Sequence, residues 1–322
     1  MNNDCWHALD VITLSHINKV LIGVIIAIVA YAIFLLISDF NTILNKISSF
    51  QISYLPIILS LVTGSWCILF LRWTILLKNN GISIPYGQSF LVYIASFSMS
   101  ATPGQLGELI KSQLLKNKFD VPVTKTAPLV IVERLFDLTG AIIVSIIGFW
   151  LLNINIYVPI IASIALILIF LLLKSKKMFN KTLNLIKRVK FASKLADPIA
   201  ESFDTIQMSL NKKTLVISTI ISVCFWILMG ISSYFVLRAV GIDSLEIIKI
   251  VSIYSSSIII GAASFIPGGV GVAESSIAGL LSLSGINLSI AFALGILIRI
   301  FTLWYGVVVG FVALKISGGL SD

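Results

Sequence analysis

Charge is scarce in this chain: only 11% of its 322 residues are Asp, Glu, Lys or Arg, while 58% are hydrophobic. With a mean hydropathy of +1.05, that scarcity excludes an ordinary soluble domain, in which about a quarter of the residues carry charge. A polytopic membrane protein is the class that remains. Histidine is nearly missing, with only His7 and His16, and the three cysteines, Cys5, Cys67 and Cys224, are scattered. No spacing among them resembles a metal site or a redox pair, and no nucleotide-binding loop occurs. Neither a metal nor another cofactor is expected, and nucleic acid is not expected as a partner.

What the chain does have is apolar length. Runs of about 20 residues, enough for a helix to cross a bilayer, lie at 17–37, 54–77, 128–152, 157–173, 214–237 and 288–316. Two more apolar stretches, 89–115 and 247–283, are interrupted by Pro-Gly elements. The first run follows Asp4 and Asp10 without a small-residue cleavage site, so it reads as a retained helix.

The net charge of +9 is concentrated. Between Lys174 and Lys213 stand ten Lys/Arg residues against three acids, Asp197, Glu201 and Asp204. The positive-inside rule assigns this linker to the cytoplasm and the chain to the cytoplasmic membrane. Phe179, Leu183 and Ile186, then Ile199, Phe203, Ile206 and Leu210, recur at helical spacing, which predicts two amphipathic helices along the inner leaflet.

Four polar landmarks repeat at nearly constant separation. Arg72 matches Arg238, Pro103 matches Pro267, Glu108 matches Glu274 and Arg134 matches Arg299, each pair 164 to 166 residues apart. The reading is one membrane domain over 1–322, with repeat halves at about 54–152 and 214–316 joined through the basic linker 174–213. If the Pro-Gly segments are re-entrant hairpins, the fold is an all-α bundle of six full spans plus two hairpins in an inverted repeat. If they cross, it has eight full spans and a parallel repeat. The inverted arrangement is preferred, being a recurrent transporter plan.

Of five arginines, four are these repeat positions. An arginine within a span costs several kcal/mol, about 2.5 to 3.5 on insertion scales, so it should face the interior with a partner. Arg72, Arg134, Arg238 and Arg299, with Lys111, are candidates for holding a lipid phosphate, Arg134 and Arg299 foremost. Glu108, Glu133, Asp137 and Glu274 are candidate partners and gating or coupling groups. Backbone broken at Pro103, Gly104 and Gly107, and again at Pro267, Gly268, Gly269 and Gly271, is tolerated in the hydrocarbon layer only where it is buried or lines a watery cavity. Helices starting there would aim unpaired N–H groups at an anion. Glu108 and Glu274, about one turn in, could instead bind an arginine, cap the helix or take up a proton.

The sequence "PGQLGELIK", followed by "ERLFD" and "PGGVGVAE", resembles the flippase-like family defined by the transmembrane region of lysylphosphatidylglycerol synthases, over essentially the whole chain. The resemblance implies movement of an anionic lipid, phospholipid or polyprenyl-phosphate-linked, between leaflets. It does not extend to lysyl transfer, because the soluble aminoacyl-transferring domain of the full synthases is missing from this sequence. The expected partners are membrane lipids, and a homo-oligomer or lipid and glycan biosynthesis enzymes are further candidates. Two other functions stay open: an enzyme working on a lipid phosphate through Glu108, Glu133 and Asp137, or a non-transporting scaffold.

Overall fold

A computed structural model describes residues 48–102, 107–151, 157–188, 200–264 and 266–318. The expected first span at 17–37, the break residues Pro103 and Gly104, and Ile199 lie outside these residues. Every regular element among those described is a helix.

In chain order the helices are α1 (Leu55–Asn79), α2 (Tyr86–Ala95), α3 (Ile110–Phe119), α4 (Val123–Leu151), α5 (Tyr157–Lys174), α6 (Lys176–Arg188), α7 (Phe203–Ser209), α8 (Lys212–Ala239), α9 (Ile247–Ala263), α10 (Val272–Leu283), α11 (Leu288–Arg299) and α12 (Tyr305–Ile316). A π-helical segment, Ile300–Trp304, joins α11 to α12 without a break in the rod. Among the described residues three helical stretches are long and apolar enough to cross a membrane, Ile52–Asn79, Lys212–Ala239 and Leu288–Ile316. At 29 residues α4 is as long, yet it carries Glu133, Arg134 and Asp137 within two turns, so part of its surface cannot face lipid.

α8 is the central post, packed against α1, α4 and α9, while α12 crosses α2 and the 3₁₀ turn Ser96–Met99. Small residues permit these approaches. A Cβ on Gly310 would lie 2.2 Å from the Ser98 nitrogen, and one on Gly230 would lie 2.6 Å from the Val251 Cα. Close backbone contact of this kind is how membrane helices associate when lipid removes the hydrophobic drive.

Both interrupted stretches hold short helices where they are described. Helices of 10, 10 and 12 residues, α2, α3 and α10, are about 15 to 18 Å long at 1.5 Å per residue, far short of a bilayer core. With 17 residues, α9 is short as well. α2 contacts α3, and α9 contacts α10.

The linker is helical where described, and part of its apolar face packs inside the protein. α6 turns by 95° from α5; Phe179 and Leu183 on it are buried, and the Phe179 ring lies 4.7 Å from that of Phe203. Ile206 and Leu210 are buried also. The protein's own helices thus cover these four buried residues of the stripe that sequence periodicity would assign to lipid, since periodicity shows that a face is apolar but not what buries it.

Candidate functional site

Charge enters the bundle where α1, α3, α4 and α8 converge. Glu133, Arg134 and Asp137 stand on successive turns of α4, a spacing of three or four that puts Glu133 and Asp137 on one face. Arg72, fully buried on α1, donates from Nη1 to Asp137 Oδ1 and to Ser222 Oγ on α8, each at 2.6 Å. Its other Nη lies 3.7 Å from Glu133 Oε1. Lys111, also fully buried, donates to Glu133 Oε2. The Lys111 ammonium sits 4.6 Å from the centre of the Trp73 ring and 5.0 Å from that of Tyr93, a setting in which ring quadrupoles add to the attraction of the carboxylate.

Glu108 stands in the 3₁₀ turn 107–109 that precedes α3. Its Oε1 accepts a hydrogen bond from Ser100 Oγ at 3.1 Å. Its Oε2 lies 3.2 Å from Arg134 Nη2 and 3.6 Å from Lys111 Nζ but makes no hydrogen bond. The same Arg134 nitrogen is 3.0 Å from Asp137 Oδ2. Three cations, Arg72, Lys111 and Arg134, thus face three carboxylates, Glu108, Glu133 and Asp137, and the cluster is neutral when all six are ionised.

The cluster opens on a cavity of about 100 Å³. Glu108, Arg134, Asp137 and Ser100 form its polar wall, and Trp66, Phe97, Phe225, Trp226 and Met229 its apolar one. Arg134 keeps 17% of its side chain exposed, whereas Arg72 and Lys111 keep none. Of the cluster's cations, Arg134 is therefore the one that a molecule in the cavity reaches. Thr302 and Leu303 of the π segment also line it, which fits the frequent occurrence of π-bulges at functional positions.

Arg299 does not line this cavity. Its Nε donates to Glu274 Oε1 at 3.0 Å, and its Nη2 donates to the Gly268 carbonyl. Glu274, at the third position of α10, accepts at Oε2 from the Gly271 N–H at 2.7 Å, so the helix start that sequence reasoning offers to a phosphate already carries a carboxylate. Gly268, Gly269 and Gly271 adopt φ of 60°, 63° and 82°, values that only glycine takes without strain. Pro267 opens the 3₁₀ turn. In the first half, Gly107 donates its N–H to Thr102 Oγ1 at 2.7 Å.

Arg238 stays apart from both sites. It lies at the end of α8, one-third exposed, paired with Asp243 and placed over the Tyr234 ring. The reason is the helix ending: Gly241 and Gly81, both with positive φ, close α8 and α1 by the same bonds, Gly241 to the Arg238 carbonyl and Gly81 to the Lys78 carbonyl. Arg238 therefore occupies the place of Lys78, while Arg72 sits two turns deeper.

Sequence reasoning passed over Ser222, which receives Arg72, and Trp226, whose indole N–H donates to the Asp137 carbonyl at 2.7 Å. Their signal was the spacing Ser218, Ser222, Trp226, a buried polar stripe every four residues along an apolar helix. Among the described residues no group of three His, Cys, Asp or Glu side chains is arranged to hold a metal ion.

The sequence itself connects this arrangement to known proteins, since the family described as "Lysylphosphatidylglycerol synthase TM region" matches residues 20–310. The chain belongs to that family. It is also similar to the UPF0104 membrane protein MJ1078 of Methanocaldococcus jannaschii, with 27% identity over 208 residues, covering 63% of this chain and 87% of that protein. The region that matches the family contains Arg72, Lys111, Arg134 and Arg299 together with the carboxylates that face them.

Proposed function

We propose that this protein moves an anionic lipid, a phospholipid or a polyprenyl-phosphate-linked one, between the leaflets of the cytoplasmic membrane, with Arg134 receiving the headgroup phosphate. The observation that carries the reading is a guanidinium presented to a cavity inside an all-helical membrane bundle. A planar fork of N–H donors matches phosphate oxygens, and a charged group kept in such a place at several kcal/mol marks a path for polar cargo. The aromatic and aliphatic wall opposite suits the glycerol or isoprenoid portion beside the phosphate. Membership of a family defined on a lipid-modifying synthase's membrane region supports lipid as the cargo class. Lysyl transfer is not part of the reading.

The test is translocation of a labelled anionic phospholipid in proteoliposomes. Arg134→Ala abolishes transport while the protein inserts and purifies normally; transport at the wild-type rate would sink the proposal. Appearance of a chemically altered lipid on chromatography would instead favour an enzyme.

We further read the Pro-Gly segments as re-entrant hairpins and the halves 54–152 and 214–316 as inverted, with the basic linker in the cytoplasm. Short paired helices, neither able to cross alone, support this. In a background free of native cysteines, Asn80→Cys should label from the cytoplasm and Ser244→Cys from outside. Labelling of both from one side would make the halves parallel.

A further inference from the structure

Every carboxylate in the Arg134 cluster is held, but not equally. Asp137 is fixed by Arg72 at 2.6 Å and by Arg134 at 3.0 Å, and Glu133 by Lys111. Glu108 has only longer contacts, 3.1, 3.2 and 3.6 Å, from a short turn rather than a long helix. It is the carboxylate most easily moved from Arg134, and it borders the cavity.

A headgroup phosphate that pairs with Arg134 Nη2 takes the position of Glu108 Oε2. The titratable and polar groups around Glu108 are Lys111 from α3, Glu133, Arg134 and Asp137 from α4, Arg72 from α1, Tyr93 from α2 and Ser100 from the turn after it. Their three cations already balance three carboxylates. An added anion leaves one negative charge in excess in a site where Glu108 is 2% exposed, and an uncompensated buried charge is strongly disfavoured. A proton on Glu108 restores neutrality.

We infer that Glu108 is a built-in competitor for the phosphate at Arg134, and that its displacement is accompanied by uptake of one proton from water, so that binding of the anion and of the proton are linked. This deepens the transport reading and rests on it. Linkage sets the sign: a proton taken up together with the anion makes affinity for the anion rise as pH falls. Where the liganded form alone is protonated, each pH unit changes affinity about tenfold. Lipid binding that carries a proton would let a proton gradient bias the direction of transport.

The test is calorimetry on the purified full chain in detergent, titrated with short-chain phosphatidylglycerol, whose phosphodiester does not titrate near neutrality. Repeating the titration in buffers of different ionisation heat counts the protons taken up. The wild-type protein should take up one proton per lipid bound. Glu108→Gln should bind about tenfold or more tightly above neutral pH, with no proton uptake and no pH dependence. If that variant does not fold, Glu108→Asp serves: its shorter reach weakens competition, so binding tightens while proton uptake persists. Wild-type binding without proton uptake, or a Glu108→Gln protein that still takes up a proton, would overturn the inference and leave the transport reading standing. No binding to the wild-type protein at any pH, of phosphatidylglycerol or of a short-chain polyprenyl phosphate, overturns both.

Discussion

Glu274 gives both carboxylate oxygens to partners within 3.0 Å, the Arg299 guanidinium and the Gly271 amide, whereas Glu108, 166 residues earlier, meets its partners at 3.1 to 3.6 Å and borders a cavity. The difference originates in local geometry. Glu274 is the third residue of α10, from which a carboxylate reaches back to the amide that opens the helix. Glu108 precedes the first residue of α3 and cannot close the helix in that way. Surroundings diverge as well: Arg299 answers Glu274, while Glu108 shares Arg134 with Asp137 and Lys111 with Glu133. The same motif thus makes a lock in one half and, as we propose, a movable part in the other.

The comparison breaks most readily at the arginines. Arg299→Ala breaks the buried Arg299–Glu274 ion pair and removes the donor to the Gly268 carbonyl, for an expected loss of about 3–5 kcal/mol. Arg134→Ala abolishes transport but leaves Asp137 with Arg72 and Glu108 with Lys111, so its stability cost should be about 1–2 kcal/mol. Denaturant or thermal unfolding in detergent separates the two. Equal destabilisation would show that both pairs are structural.

The glutamates sharpen it further. Glu274→Gln keeps the amide contact but loses the charge on both bonds, at an expected cost of about 2 kcal/mol. Glu108→Gln should cost under about 1 kcal/mol, because its bonds are longer and its removal leaves Arg134 with Asp137. A reversed order in the unfolding midpoints would assign the lock to the wrong half.

These residues also show what could be read in advance. Apolar run lengths placed α1, α5, α8 and the α11–α12 rod within a few residues, because a bilayer demands length and composition together. The ionisable residues were visible for the opposite reason, as exceptions in hydrocarbon. Which charge met which was not legible. Constant spacing matched Arg72 with Arg238, but the helix ending at Gly241 places Arg238 beside Asp243 at an exposed end. Arg299 looked equivalent to Arg134, yet its assignment to Gly268 depends on the positive φ of that residue, a backbone property that appears in sequence only as a glycine. The cavity walls Trp66, Phe97, Phe225 and Trp226 are ordinary apolar residues until α1, α4, α8 and the π segment are brought together.

Gly268 gives a smaller test of the lock. Alanine there must adopt φ near 60°, and its Cβ would stand 3.3 Å from the Ala101 Cα. Left-handed backbone costs a non-glycine residue about 1–2 kcal/mol, which should appear as a modest fall in unfolding midpoint. Transport should persist, because Gly268 does not itself line the Arg134 cavity and the added Cβ meets Leu303 only at an ordinary 3.5 Å. Loss of transport with normal stability would instead draw the second break into the path of the lipid.

The smallest expected change is at Ser100, and it bears most directly on the movable glutamate. Its hydroxyl donates to Glu108 Oε1 at 3.1 Å and so favours the position in which Glu108 occupies Arg134. Ser100→Ala removes that bond, worth about 1 kcal/mol, from the resting arrangement. Because the weakened contact belongs to the competitor and not to the lipid, affinity should rise by roughly fivefold, with proton uptake preserved since Glu108 remains. A lower half-saturating lipid concentration in proteoliposomes would be the signature. If affinity falls instead, Ser100 contacts the lipid itself, and the polar wall of the cavity binds its cargo at two points.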